Sequence, residues 1–137
     1  MKTKFNFNSQ ICTTRVQSEK LIALGLKKET ADMVHYRLSE IHKWRILATP
    51  WRDDCEGSKW YYPAWSLHRL IEMMPLDVVP EGGFDNIFKL TKGCPSGYSV
   101  EYDGFSYYHK KNIYDTLIEG IEDLIKEGYF NKEYLEE

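Results

Sequence analysis

Residues 112–128, NIYDTLIEGIEDLIKEG, constrain this chain most. Tyr114, Leu117, Ile118, Ile121, Leu124 and Ile125 recur at three- and four-residue spacing, so a helix gathers them along one side. Glu119, Glu122, Asp123 and Lys126 fall on the other side, and Glu122 and Lys126 form a favourable i,i+4 pair. Asn112 supplies an N-cap and Gly128 a C-terminal stop. A helix of this length is marginal alone in water, so the apolar side must be laid on another surface. Gly120, in mid-helix, costs about 1 kcal/mol relative to alanine and leaves room for another element to approach.

The surface it covers is expected to be an antiparallel sheet. YSVEY-DG-FSYYH places Asp103–Gly104 between alternating apolar residues, the signature of a tight hairpin. NIFKLTK, followed by the turn GCPSG, adds a third strand to this meander. Upstream, Val34, Tyr36, Leu38, His42, Trp44 and Ile46 alternate with polar neighbours. That pattern suits strands over 33–38 and 43–48 with a turn near Ser39–Glu40. A helix over 34–48 stays open, because Leu38, Ile41 and Arg45 also keep helical spacing.

Two further helices are signalled. Thr14 and Gln17 have capping-box spacing, and Gly25 with Leu26 and Leu21 has the spacing of a Schellman ending, which predicts a helix over 15–24. Ser66 is an N-cap flanked by Trp65 and Leu70 at hydrophobic-staple spacing; Leu67, Leu70, Ile71 and Met74 form its apolar stripe and Pro75 stops it. The expectation is an α+β chain of one domain over 1–137. It has a single antiparallel sheet of four to six strands with about three helices packed mainly on one face.

The chemistry is harder to find. His35, His42, His68 and His109 are scattered, and no C-x-x-C or H-x-x-x-H spacing occurs, so no metal site is expected. Cys55 lies among three acidic neighbours, a poor setting for a nucleophilic thiolate, and no G-x-S-x-G elbow is present. Asp53 and Asp54 read as turn residues rather than a catalytic pair. No phosphate-binding glycine motif occurs, so no nucleotide cofactor is expected. No stretch approaches 18 consecutive apolar residues, so no membrane span is expected. The N-terminal stretch has charge but no apolar signal-peptide core, and the three cysteines are odd in number. A reducing cytoplasm is the expected setting.

Aromatic residues make up 15% of the chain, more than one sheet face can bury. Trp51, Arg52, Trp60, Tyr61 and Tyr62 stand in and beside a loop, where tyrosine and tryptophan favour contact with a protein partner. The leading expectation is therefore a small non-enzymatic interaction protein. An alternative is single-stranded nucleic-acid binding on a sheet face through Lys43, Trp44, Arg45, Trp51 and Lys59. A third is an enzyme with a site assembled in space around Cys55, His68 or His109. The net charge of −3 counts against nucleic acid, but it is unevenly spread. Residues 1–45 hold nine basic and four acidic side chains, and residues 112–137 hold two and eight. Such blocks neutralise each other within one fold or across a homodimer.

Three blocks, TRVQSEKLIALGLKKETADM, YPAWSLHRLIEMMP and DTLIEGIEDLIKEGYF, resemble a family of small uncharacterised proteins from gut anaerobic bacteria and their prophages. The shared pattern is carried by Thr14, Gln17, Ser18, Leu21, Gly25 and Thr30–Met33, and by Pro63–Leu67, Leu70 and Pro75. The resemblance implies a bacterial or phage origin and a regulatory role by association. It implies no catalytic residue.

Overall fold

The computed structural model describes residues 9–78, 86–93, 97–102 and 107–137. Helix α1 (Arg15–Ala23) starts where its capping box puts it: the Thr14 hydroxyl accepts from the Gln17 N–H, and the Gln17 carboxamide oxygen accepts from the Thr14 N–H. It ends in a Schellman turn. Leu26 N–H reaches the Leu21 carbonyl and Gly25 N–H the Ile22 carbonyl, with Gly25 at a φ of 102° that a side chain would resist.

Strands β1 (Met33–Tyr36), β2 (Arg45–Leu47) and β3 (Tyr61–Ala64) form one antiparallel sheet in the order β2-β1-β3. The hairpin reading of 34–48 therefore holds over the helical one. Val34 pairs with Leu47, His35 with Ile46 and Tyr36 with Arg45. Even positions of β1 thus face odd positions of β2. The eight residues between the strands shift the alternation, so Trp44 and Ile46 lie on the His35 side and not with Val34.

Helix α2 (Leu67–Met73) follows directly, with the Ser66 hydroxyl accepting from Arg69 N–H. Both staple residues, Trp65 and Leu70, are fully buried. The second sheet then runs β4 (Asp77–Val78), β5 (Asn86–Lys92), β6 (Tyr98–Tyr102) and β7 (Tyr107–Lys110) as an antiparallel meander in chain order. The Asp103–Gly104 turn lies outside the described residues. Helix α3 (Ile113–Glu127) packs on β6 and β7 and meets α1 and α2. Asn112 caps it through Tyr114 N–H and Asp115 N–H, and Gly128 ends it at a φ of 80°. Gly120 is among its buried residues.

The α+β class stands, but the single expected sheet is two. Just past the end of β3, Thr13 N–H donates to the Trp65 carbonyl and Trp65 N–H donates to the Thr13 hydroxyl, so the chain there pairs with the N-terminal segment. Helix α2 then carries the chain away before β4 begins. Buried residues of both sheets and all three helices, from Leu21 to Phe130, still form one core.

Trp65 joins these parts, and its indole N–H donates to the Thr30 hydroxyl at 2.9 Å. Thr30→Val leaves that donor buried and unpaired, and is expected to destabilise the fold by about 1–3 kcal/mol in chemical denaturation. Trp65→Ala also removes a whole buried ring and should cost about 3–5 kcal/mol. Equal stability of Thr30→Val and the parent would show that the bond adds nothing.

Candidate cation–aromatic binding face

The three-stranded sheet has two sides. Val34 and Pro63, buried, and Tyr61, half-buried, turn toward the core with Tyr36. The other side carries His35, Ile46 and Tyr62, and beyond the strand ends Arg37, Trp44 and Trp60. Arg15, the first residue of α1, reaches over this side because Thr13 is pinned to Trp65 just before it.

Cations and rings alternate there. The Arg15 guanidinium carbon lies 5.2 Å from the Tyr62 ring centre and 4.6 Å from that of Trp44. The Arg37 guanidinium carbon lies 4.6 Å from Trp44 and 5.7 Å from Trp60. The Lys59 ammonium lies 4.7 Å from Trp60. All are within the range of a cation–π attraction. Among the described residues, neither the Arg15 nor the Arg37 side chain has a carboxylate partner. Acidic groups flank the ladder without closing it: Glu40 binds Lys59 at 3.4 Å, and Glu19 lies near Tyr62. Burial raises the Tyr62 phenol above its ordinary value; the charge of Glu19 adds to this and that of Arg15 opposes it.

The residues chosen from sequence do not form one patch. Trp51 is 8% exposed and belongs to the core; its indole N–H donates to Glu56 at 3.3 Å and Lys28 sits 5.4 Å from its ring. A loop between Pro50 and Gly57 does not keep a tryptophan outside, because the 3-10 turn Asp53–Cys55 folds the loop back over it. Arg52 is exposed and pairs with Asp54 at 3.5 Å. Tyr61 stacks on Tyr36 on the core side, at 5.1 Å between ring centres. Only Trp60 and Tyr62 join the ladder. From the alternative set, Trp44 and Lys59 join it, while Arg45 pairs with Tyr36 on the opposite side. Arg15 and Arg37 were missed. The parity of His35 and Arg37 in one strand was a usable signal for Arg37, whereas the arrival of Arg15 depends on contacts across some fifty residues.

The described thiols, Cys12 and Cys55, are both buried, and Cys94 lies outside the described residues. Cys55 is 3% exposed and His68 stands exposed beside Glu72, while the His109 side chain is outside the described residues. Cys12 is buried against the carboxylate of Asp32, and burial first, then that charge, push its thiol from 9.0 up to about 11. Asp32 is committed to Ser66, accepting from both its N–H and its hydroxyl. Burial, with the Cys12 charge next, likewise raises Tyr114. Among the described residues, no three His, Cys, Asp or Glu side chains gather to hold a metal, and no helix is long and apolar enough to cross a membrane. Comparisons with family models, curated proteins and solved structures returned no match.

Two measurements follow from these placements. Trp51→Ala should cost about 3–5 kcal/mol in chemical denaturation, and Trp60→Ala clearly less; equal losses would return Trp60 to the core. A raised thiol pKa stabilises the fold fully below its unfolded value of 9.0 and loses that contribution as pH climbs to about 11. Stability should therefore hold to about pH 9 and fall on the order of 2 kcal/mol by pH 11, with Cys12→Ala removing part of the fall.

Proposed function

We propose that this chain is a non-enzymatic binding module and that its ladder face takes single-stranded nucleic acid. The observation that carries the reading is the pair of guanidinium groups, Arg15 and Arg37, each 4.6 Å from the Trp44 ring centre and without an acidic partner among the described residues. A guanidinium over a ring still carries N–H groups that match phosphate oxygens, although the Nε–H of Arg37 is itself buried without a hydrogen-bond partner. Rings and guanidinium planes both stack on bases. A ligand that alternates planar bases with phosphates therefore uses both components of the ladder at once.

The net charge of −3 argues less against this than it first suggests. The acidic excess lies in residues 112–137, much of it on the outer side of α3, where Glu122 pairs with Lys20 and Lys126, and Glu119 with Lys110. A cytoplasmic setting accords with Cys12 and Cys55 as free buried thiols. A bacterial or phage origin, implied by the resemblance of the three sequence blocks, accords with a regulatory nucleic-acid binder.

A second reading, a protein partner, has its own observation. Among the described residues β2 is an edge strand, with Ile46 and Leu47 both about two-fifths exposed, and an unpaired apolar edge favours addition of a strand.

Titration of tryptophan fluorescence with oligothymidylate at low salt is expected to show quenching. Affinity should fall linearly with salt on a logarithmic plot, and Arg15→Gln and Arg37→Gln should each reduce the slope by about 0.7. Absence of quenching at low salt rejects nucleic acid. The protein reading then gains, and it expects Ile46→Lys to abolish partner binding.

A further inference from the structure

The tip of the β1–β2 hairpin holds a cleft of about 260 Å³, lined by Tyr36 and Arg45 from the side of the sheet opposite the ladder and by Arg37 from the ladder itself. Tyr36, Leu38 and Ile41 give it apolar walls, and Arg37, Lys43 and Arg45 give it positive charge. Among the described residues, no acidic side chain lines it; Glu40, in the same loop, is turned to Lys59. Leu38 is 65% exposed and Ile41 91% exposed, so the cleft presents aliphatic surface to solvent. The loop that presents them is tied: the Ser39 hydroxyl and His42 Nδ1 lie 2.6 Å apart, and His42 N–H donates to the Ser39 carbonyl. The apolar walls are thus set before any ligand arrives.

We propose that this cleft is a subsite for one unstacked nucleobase of the strand that lies on the ladder. The inference rests on the nucleic-acid reading and adds to it the place where a base is enclosed rather than stacked. Arg37 links the two, since it lies over Trp44 and Trp60 and also lines the cleft. A strand leaving the ladder crosses the hairpin tip at that residue to reach the cleft. The cavity is smaller than the usual range of about 300–1,000 Å³ for drug-sized ligands, which suits one ring system. Apolar walls accept the faces of a base, and the three cations accept the phosphates on either side of it. A purely apolar peptide side chain would fit the walls and leave those cations unused.

The test compares oligothymidylate with an abasic strand of the same phosphate number, by fluorescence anisotropy at low salt. The proteins are the parent, the Leu38→Ser/Ile41→Ser variant and Trp44→Ala. The parent should prefer the base-bearing strand. The double variant, whose changes lie at exposed positions, should lose about tenfold in affinity for that strand and none for the abasic one. Trp44→Ala should lower affinity for oligothymidylate while the effect of the double variant persists on top of it. An unchanged affinity in the double variant overturns the cleft and leaves the ladder reading standing. Equal binding of both strands by the parent also overturns it, leaving electrostatic attraction alone. Failure of the parent to bind either strand overturns both readings. A co-purifying protein lost from the double variant while oligothymidylate binding is unchanged assigns the cleft to a protein and also rejects it as a base site.

Discussion

Everything in the N-terminal half depends on how Trp65 is tied. Its backbone is bonded in both directions to Thr13, its indole N–H to Thr30, and the next residue, Ser66, to Asp32. Thr13 in turn holds the Ser18 hydroxyl at 2.7 Å inside the start of α1. A buried tryptophan brings a large apolar ring and one donor that must be satisfied. Here that need is met by side chains from two other segments, so the same contacts that stabilise the ring also fix the start of α1, the entry to β1 and the start of α2.

This assembly also ties together three separated stretches of the sequence. Thr14, Gln17 and Ser18, then Thr30 and Asp32, then Trp65 and Ser66 belong to one hydrogen-bonded assembly. The third block joins through Asp115, which accepts from the Gln17 carboxamide at 2.8 Å. These residues build the framework. Apart from Arg15 and Tyr62, the ladder lies in the stretches between them.

Local signals were legible because their physics is local. Caps, the Schellman ending of α1, the staple before α2 and the apolar side of α3 each need only a few neighbouring residues, and all appear where the spacing puts them. The division into two sheets was not legible, because alternation marks strands but does not say which strands pair. The position of Trp51 was misread for a related reason. A loop composition of Pro50, Asp53, Asp54 and Gly57 says that the chain turns, but not what it turns over. The ladder needed the β1–β2 register, and an eight-residue connection hides register from the sequence.

One contact bears on how the chain reaches this structure. The end of α1 is closed by residues far away: Lys27 N–H bonds the Tyr134 carbonyl, Glu136 N–H bonds the Gly25 carbonyl, and Leu26 bridges Leu135. At ordinary rates of synthesis, on the order of ten seconds separate the emergence of these partners. Throughout that interval the α1 terminus and the apolar residues around Leu26 wait without their cover. The end of α1 is therefore open to chaperones and proteases until residues 134–136 have been made.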